Sequence, residues 1–373
     1  MFMNFNSIFL KSFRVLLLPF ALVYALIIFI RNYLYDTKKF SSATFNFPII
    51  CVGNLAVGGT GKSPMVEYLI RLLQTQFKVA TLSRGYKRKT KGYLLANDQS
   101  TALEIGDEPM QFHKKFPEVA IAVGEERIVA LPQLFQDKPE TEVVILDDAF
   151  QHRSINAGFN ILLTDYSNRF THDFFLPTGD LRDERRSYKR ANIIVVTKCP
   201  SNLEETKKVK ILYEIHPMPG QQVFFTTIKY GTPYHILDAQ KTWPLTTREE
   251  VLLVCGIANP KPLKDYLHKQ SAMYFQLSFS DHHIFTYDDL KNIKQKFSEL
   301  EAFNKIILTT EKDAVRFVKF ADELKDLPLY VLPIEHKFLF DDGLRFNNSV
   351  IKYITQQQKQ QSAIDETNEN SPN

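Results

Sequence analysis

A short apolar run, Pro48-Ile49-Ile50-Cys51-Val52, enters a glycine-rich turn, and an amphipathic run, Met65 to Leu73, leaves it. The turn reads Ala56-Val57-Gly58-Gly59-Thr60-Gly61-Lys62-Ser63. Strand, glycine-rich turn, Gly-Lys-Ser and helix is the layout of a phosphate-cradling loop, and no other stretch constrains the fold as strongly. The glycines let backbone N–H groups turn inward without Cβ clashes. The following helix adds free N–H donors and partial positive charge at its start. On this reading Ala56, Val57, Gly58, Gly59, Thr60, Gly61, Lys62 and Ser63 bind the nucleotide, Lys62 reaching the β/γ-phosphates and the Ser63 hydroxyl sitting on Mg²⁺. The usual first glycine is replaced by Ala56. Pro64 is tolerated because a first helical turn leaves its N–H position unpaired.

From Phe47 onward the rhythm is strand then helix. Apolar, largely β-branched runs recur at 78–82, 119–123, 143–146, 160–163, 193–196, 251–254, 274–277, 306–308 and 329–332, with a helical pattern from Tyr287 to Leu300. Such runs suit strands covered on both faces, so the expected fold is α/β with mostly parallel sheets in two domains. The expected division is an N-terminal membrane anchor over residues 1–35 and a phosphate-loop domain over 36–158, with 329–355 a candidate return to it. A second, smaller α/β domain over 159–328 completes a cleft, and 356–373 is read as a polar disordered tail.

The anchor rests on an uncharged run from Val15 to Ile30, slightly shorter than the roughly 20 residues of a span. Lys11 and Arg14 precede it, but no small-x-small cleavage site follows, which argues against a signal peptide. Basic residues flank both ends, so charge sets no orientation. An anchor that spans or lies shallowly in the bilayer stands against a buried core helix, which is rarely apolar all round. At 373 residues with 44% hydrophobic content, a sizeable core is available, and a net charge of +4 is only mildly basic. Cys51, Cys199 and Cys255 lie far apart beside apolar runs, so neither a disulfide framework nor a zinc knuckle is indicated and buried thiols are expected.

Five other stretches could carry chemistry. Val143 to Asp148 is an apolar strand ending in two carboxylates, the place where phosphate-loop proteins keep the Asp that holds Mg²⁺; Gln151 and His152 follow it. Gly106-Asp107-Glu108-Pro109 reads as an acidic turn in which Pro109 keeps Glu108 extended. Asp107 is there a candidate base for an acceptor hydroxyl, or an N-cap. Asp281-His282-His283 is a metal site, an orienter of a base, or a capping turn. The charge-dense Thr178 to Arg186 is a phosphate-gripping or a solvated loop, and the basic Ser83 to Lys89 lies at a strand's carboxyl end, where α/β proteins bind ligands. Thr197-Lys198-Cys199-Pro200 lacks the carboxylate that reads guanine, which favours ATP over GTP.

Taken in order, these blocks resemble the tetraacyldisaccharide 4′-kinases, the lipid A kinases. The resemblance is carried by Val52 to Pro64, Ser83-Arg84-Gly85-Tyr86, Gly106-Asp107-Glu108, Asp147 to His152, Leu181-Arg182, Asp281-His282 and Thr310-Glu311-Lys312-Asp313-Ala314, and runs from the anchor to Val331. It implies transfer of the γ-phosphoryl of ATP to the 4′-hydroxyl of a tetraacylated glucosamine disaccharide 1-phosphate. It also implies a cleft between two α/β domains that face the cytoplasm at the inner membrane. By the same resemblance Asp107 would be the base, His282 its partner, Arg182 a phosphate ligand, and Asp147, Asp148 and Ser63 the Mg²⁺ ligands. Two departures stand out: Ser63 in place of the commoner Thr, and Ala149 in place of Gly. Beyond the lipid substrate and the membrane surface, neither nucleic acid nor an obligatory protein partner is expected. The competing readings are a membrane-tethered ATPase that switches a protein partner and a non-catalytic nucleotide-binding module. No early Lys lies between Val52 and Gly61, as the partner-switching loops would have.

Overall fold

The computed structural model describes residues 14–369 except Ala272, with side chains up to residue 363. Residues 1–13 of the expected anchor and 370–373 of the expected tail lie outside the described residues.

Fifteen strands in the described residues make two sheets. In chain order they are β1 (Ala43–Asn54), β2 (Val79–Ser83), β3 (Leu94–Leu95), β4 (Ala120–Val123), β5 (Val143–Asp147), β6 (Ile155–Asp165), β7 (Ile193–Thr197), β8 (Gln222–Tyr230), β9 (Tyr234–His235), β10 (Asp238–Thr242), β11 (Glu250–Cys255), β12 (Met273–Ser278), β13 (Lys305–Thr310), β14 (Leu329–Leu332) and β15 (Ile334–Phe338). The larger sheet has the order β15-β8-β7-β6-β1-β5-β2-β4-β3. It is parallel except where β15 and β3 close its edges in antiparallel fashion. The smaller has the order β10-β9-β14-β13-β11-β12, with β14, β13, β11 and β12 parallel.

The sheets part at residues 231–233 and 333, not at 158/159. Strand β6 spans the expected boundary, and β7 and β8 also belong to the larger sheet. Strand β14, expected to return to the first domain, pairs in the smaller sheet, and the return begins one residue past Pro333 with β15. Strand runs alone do not tell which sheet they join, because membership is set by long-range pairing. At the crossing the Gly231 N–H donates to the Pro333 carbonyl at 2.9 Å.

Period-2 alternation on β1 feeds two cores. Ile49 and Cys51 pack on one face, Ile50 and Val52 on the other. The phosphate-loop helix, Lys62–Leu73, lays Met65, Val66, Leu69, Ile70 and Leu73 on the second face. The C-terminal helix, Gly343–Glu369, joins them through Phe346, Val350 and Ile354. That helix runs through most of the expected disordered tail. Its Gln, Lys and Glu residues are good helix formers, no Gly or Pro interrupts them, and the packed first turns supply the nucleus.

The N-terminal helix, Leu18–Asp36 with a short 3-10 turn before it, is not a core helix: Phe20, Leu22 and Val23 are 66%, 63% and 60% exposed. One side is tied down along its length. Arg14 donates to the Pro177 carbonyl and pairs with Asp180 at 2.9 Å. The Tyr24 hydroxyl donates to the Arg182 carbonyl at 3.1 Å. The buried Asn32 amide donates to Asp183 and Glu184, both at 2.8 Å, and Arg153 pairs with Asp36 at 2.7 Å.

Candidate active site

Two clusters of charged side chains gather the expected site residues. The first grows from the loop after β1. Gly61, left-handed at φ 88°, starts the phosphate-loop helix, and Lys62 is its first residue. The Lys62 ammonium reaches Asn54 Oδ1 at 3.3 Å and Asp148 Oδ1 at 3.5 Å. Arg182 grips both Asp148 oxygens and donates to Asn54 Oδ1 at 2.6 Å. Its position follows from backbone pairing: the Arg182 N–H donates to the Leu55 carbonyl and the Val57 N–H to the Asp180 carbonyl. Lys62, Asp148 and Arg182, far apart in the chain, are thus one cluster, joined by Asn54, which the sequence reading did not single out. Asn54 is a fully buried amide at the end of an apolar strand, and that was its available signal. The charge-dense stretch is not a solvated loop either: Asp183 is fully buried and takes hydrogen bonds from Asn32, Ser187 and Arg190.

The paired carboxylates have opposite electrostatics. Burial, and then the neighbouring Asp148 charge, push the Asp147 carboxyl up to about 7. Burial also raises Asp148, but the Lys62 charge and the Arg182 hydrogen bonds outweigh it and hold Asp148 at about 2. Asp147 Oδ1 is buried with no hydrogen-bond partner. A buried carboxylate oxygen without a donor, next to a second carboxylate, fits a hard, oxygen-seeking divalent cation that takes its other ligands from phosphates and water. Among the described residues no group of three or more His, Cys, Asp or Glu is placed to hold a metal by itself, Asp281-His282-His283 included.

The second cluster joins the domains. Asp107 opens the helix Asp107–Lys115; it is helical rather than part of an extended turn, with Pro109 accommodated in the first helical turn, and it caps nothing with its side chain. Instead His282 Nδ1–H donates to Asp107 Oδ2 at 2.7 Å, while Arg316 donates from Nε to Oδ1 at 2.9 Å and from Nη2 to Oδ2 at 2.5 Å. Burial raises the Asp107 carboxyl, but the hydrogen bonds from His282 and then Arg316 bring it down to about 2. Lys312 donates to His282 Nε2 at 3.0 Å, which fixes the Nδ1–H tautomer, and lies 3.3 Å from Glu108. The Tyr86 ring packs edge-on against the imidazole, with centroids 5.3 Å apart. His282 is left-handed at φ 62°, a conformation costly for a non-glycine residue and concentrated at functional sites. His283 bonds the Asp289 side chain at 2.9 Å, and the cap of the helix that follows is Thr286, boxed with Asp289.

Arg316 and Lys312 escaped the sequence reading although Thr310-Glu311-Lys312-Asp313-Ala314 was noticed. Helix Glu311–Phe317 puts Arg316 one turn past Lys312 and Asp313, on a shared face. The Glu108 charge adds to the upward push on Asp147, so the two clusters sense one another. Of the remaining candidates, Gln151 donates to the Asn54 carbonyl at 2.7 Å. Burial, with Arg127 and Arg84 nearby, brings His152 down to about 4. Thr197 bonds the Thr60 carbonyl, and Lys198 pairs with Asp165.

Comparison with known proteins bears on this geometry. The family model described as tetraacyldisaccharide-1-P 4′-kinase matches residues 13–354. A tetraacyldisaccharide 4′-kinase of Flavobacterium johnsoniae is 45% identical over 341 residues, covering 91% of this chain and 97% of the relative. One of Bacteroides thetaiotaomicron is 42% identical over 366 residues, covering 94% and 96%. The crystal structure of "apo" form LpxK from Aquifex aeolicus in complex with ATP superposes with a TM-score of 0.71 at 28% identity, covering 92% of this chain and 99% of that one.

Proposed function

This chain belongs to the tetraacyldisaccharide 4′-kinase family, and from that premise we propose how its residues divide the work. The reaction is ATP-dependent phosphorylation of the 4′-hydroxyl of a tetraacylated disaccharide 1-phosphate in lipid A biosynthesis; a partner-switching ATPase is not favoured.

The loop Ala56–Ser63 holds the triphosphate, with Lys62 and Arg182 matching the charge of the transferring group. Asp107 accepts the proton of the 4′-hydroxyl as its oxygen attacks the γ-phosphorus and the bond to the β-phosphate oxygen breaks. His282 orients Asp107 and is itself held by Lys312. Asp147, with Asp148 and Ser63, would hold Mg²⁺, which when bound would neutralise phosphate charge. Since Lys62 and Arg182 already balance Asp148, the Asp147 oxygen without a donor would be the freer of the two to take the ion.

The N-terminal helix lies along the membrane surface rather than across it. Val15–Asp36 is ~33 Å long at 1.5 Å per residue. Contacts near its start, middle and end all reach the same domain, so a spanning pose would drag that domain into hydrocarbon. Lying flat, its exposed Leu22, Leu26 and Phe29 enter the lipid, and the acceptor reaches the cleft from the leaflet on the ATP side, the cytoplasmic one.

The observation that carries the proposal is the Asp107–His282 contact across the cleft. Asp107→Asn should lower kcat by about 10²–10⁴-fold, with ATP binding unchanged. The readout is phosphorylated lipid formed from ATP, Mg²⁺ and acceptor in mixed micelles. Full activity in this variant would remove Asp107 as the base.

A further inference from the structure

The phosphate loop is held from behind by a residue outside every motif noted above. His336 lies on β15, the strand that returns from the smaller sheet, and it is 4% exposed. Its Nε2 is 2.9 Å from the Gly61 carbonyl oxygen, and its Nδ1 is 2.9 Å from Thr226 Oγ1 on β8. A carbonyl oxygen only accepts, so Nε2 carries the proton and Nδ1 accepts from the Thr226 hydroxyl. Burial brings the imidazole down to about 4, so this neutral tautomer persists at physiological pH. One residue earlier, the Thr60 carbonyl accepts from the Thr197 hydroxyl at 2.8 Å. Two successive loop carbonyls are therefore pulled toward the sheet. The imidazole also fills the space beside Gly61: a Cβ there would lie 3.0 Å from His336 Cε1, on a backbone already left-handed.

Fixing those carbonyls fixes the peptide planes, and with them the N–H groups of Lys62 and its neighbours. We propose that His336 is a positioning residue for nucleotide binding, its Thr226-set imidazole holding the Gly61 carbonyl so that the loop amides are pre-aimed at the triphosphate. The sequence shows why no motif marks it: 275 residues separate the partners, and β15 reaches the loop only because the chain returns to the larger sheet.

This inference rests on the reading that Ala56–Ser63 holds ATP, so the test includes Lys62→Ala. The full chain in detergent would be assayed for KM of ATP, KM of the acceptor, kcat, and binding of a non-hydrolysable ATP analogue. His336→Ala should weaken analogue binding and raise the ATP KM by about tenfold, with the acceptor KM within about twofold of its original value. His336→Gln keeps an amide donor for Gly61 and should recover most of that loss. Should His336→Ala fail to fold, Thr226→Val, which frees the tautomer, should raise the ATP KM by about threefold. An unchanged ATP KM in the folded His336→Ala or Thr226→Val protein overturns the proposal, as does an equal rise in both KM values. Lys62→Ala separates the two readings: if it abolishes analogue binding while the His336 variants leave it intact, the positioning role alone fails. If Lys62→Ala also binds normally, the loop is not the nucleotide site, and both readings fall.

Discussion

Arg316 reaches both oxygens of Asp107, while His282 reaches one. A carboxylate held this way is well aimed but a weak base, and its ionised form is secured at every pH where the enzyme works. The sign follows from its low value in the folded protein. The contact's contribution to stability is full above the ordinary carboxyl range and is lost as pH falls toward 2. Arg316→Met leaves burial unopposed by the fork, so the carboxyl should rise. The acidic limb of the kcat/KM–pH profile should move up by about 1–3 units. Arg316→Lys keeps the charge without the fork and should fall between the two. An unmoved limb in Arg316→Met would mean that another group governs it.

At the scale of elements, the two terminal helices make opposite use of their apolar side chains. The N-terminal helix turns its large apolar side chains outward and uses polar ones, Tyr24 and Asn32, to grip the protein. Leu22→Ser with Leu26→Ser should weaken sedimentation with anionic vesicles by about tenfold or more per side chain, given 1.5–3 kcal/mol for burying a Leu, and leave ATP binding unchanged. Wild-type partitioning in that variant would exclude this face from the lipid. The C-terminal helix turns Phe346, Val350 and Ile354 inward and then continues as a polar rod. Ile354→Ala should cost about 2–5 kcal/mol in urea denaturation. Truncation after Gln358 should cost under about 1 kcal/mol, because terminal turns beyond a packed nucleus add little. A large loss on truncation would show that the polar rod packs against something.

At the scale of the molecule, the domains meet through buried charge as well as through the two chain crossings. Lys115 sits between Glu67, on the phosphate-loop helix, and Glu311, on the helix that carries Lys312 and Arg316. Both carboxylates are buried, and burial followed by the Glu67 charge pushes Glu311 up. Lys115→Met leaves the buried Glu311 without its cation, while Glu67 keeps Arg71 at 2.7 Å, and should cost about 3–5 kcal/mol at neutral pH. Because a raised carboxyl destabilises the fold as pH rises toward its folded value, the loss should shrink on acidification to pH 5. A pH-independent loss would point to packing rather than charge. In the same variant a wider cleft should appear as a larger radius of gyration by X-ray scattering.

The strand–loop–helix at Val52 to Leu73, the carboxylate pair after β5 and the apolar N-terminal run were legible in the sequence because each is local: period, glycine placement and charge spacing act within a few residues. Long-range contact decided the rest. It placed β6, β7 and β8 in the larger sheet, brought Arg182 onto Asp148, set Arg316 on Asp107 and put His336 behind Gly61. A side chain's role at such distances depends on which strands pair and where the chain crosses between sheets. Those choices come from the packing of the whole core, which no short window of sequence contains.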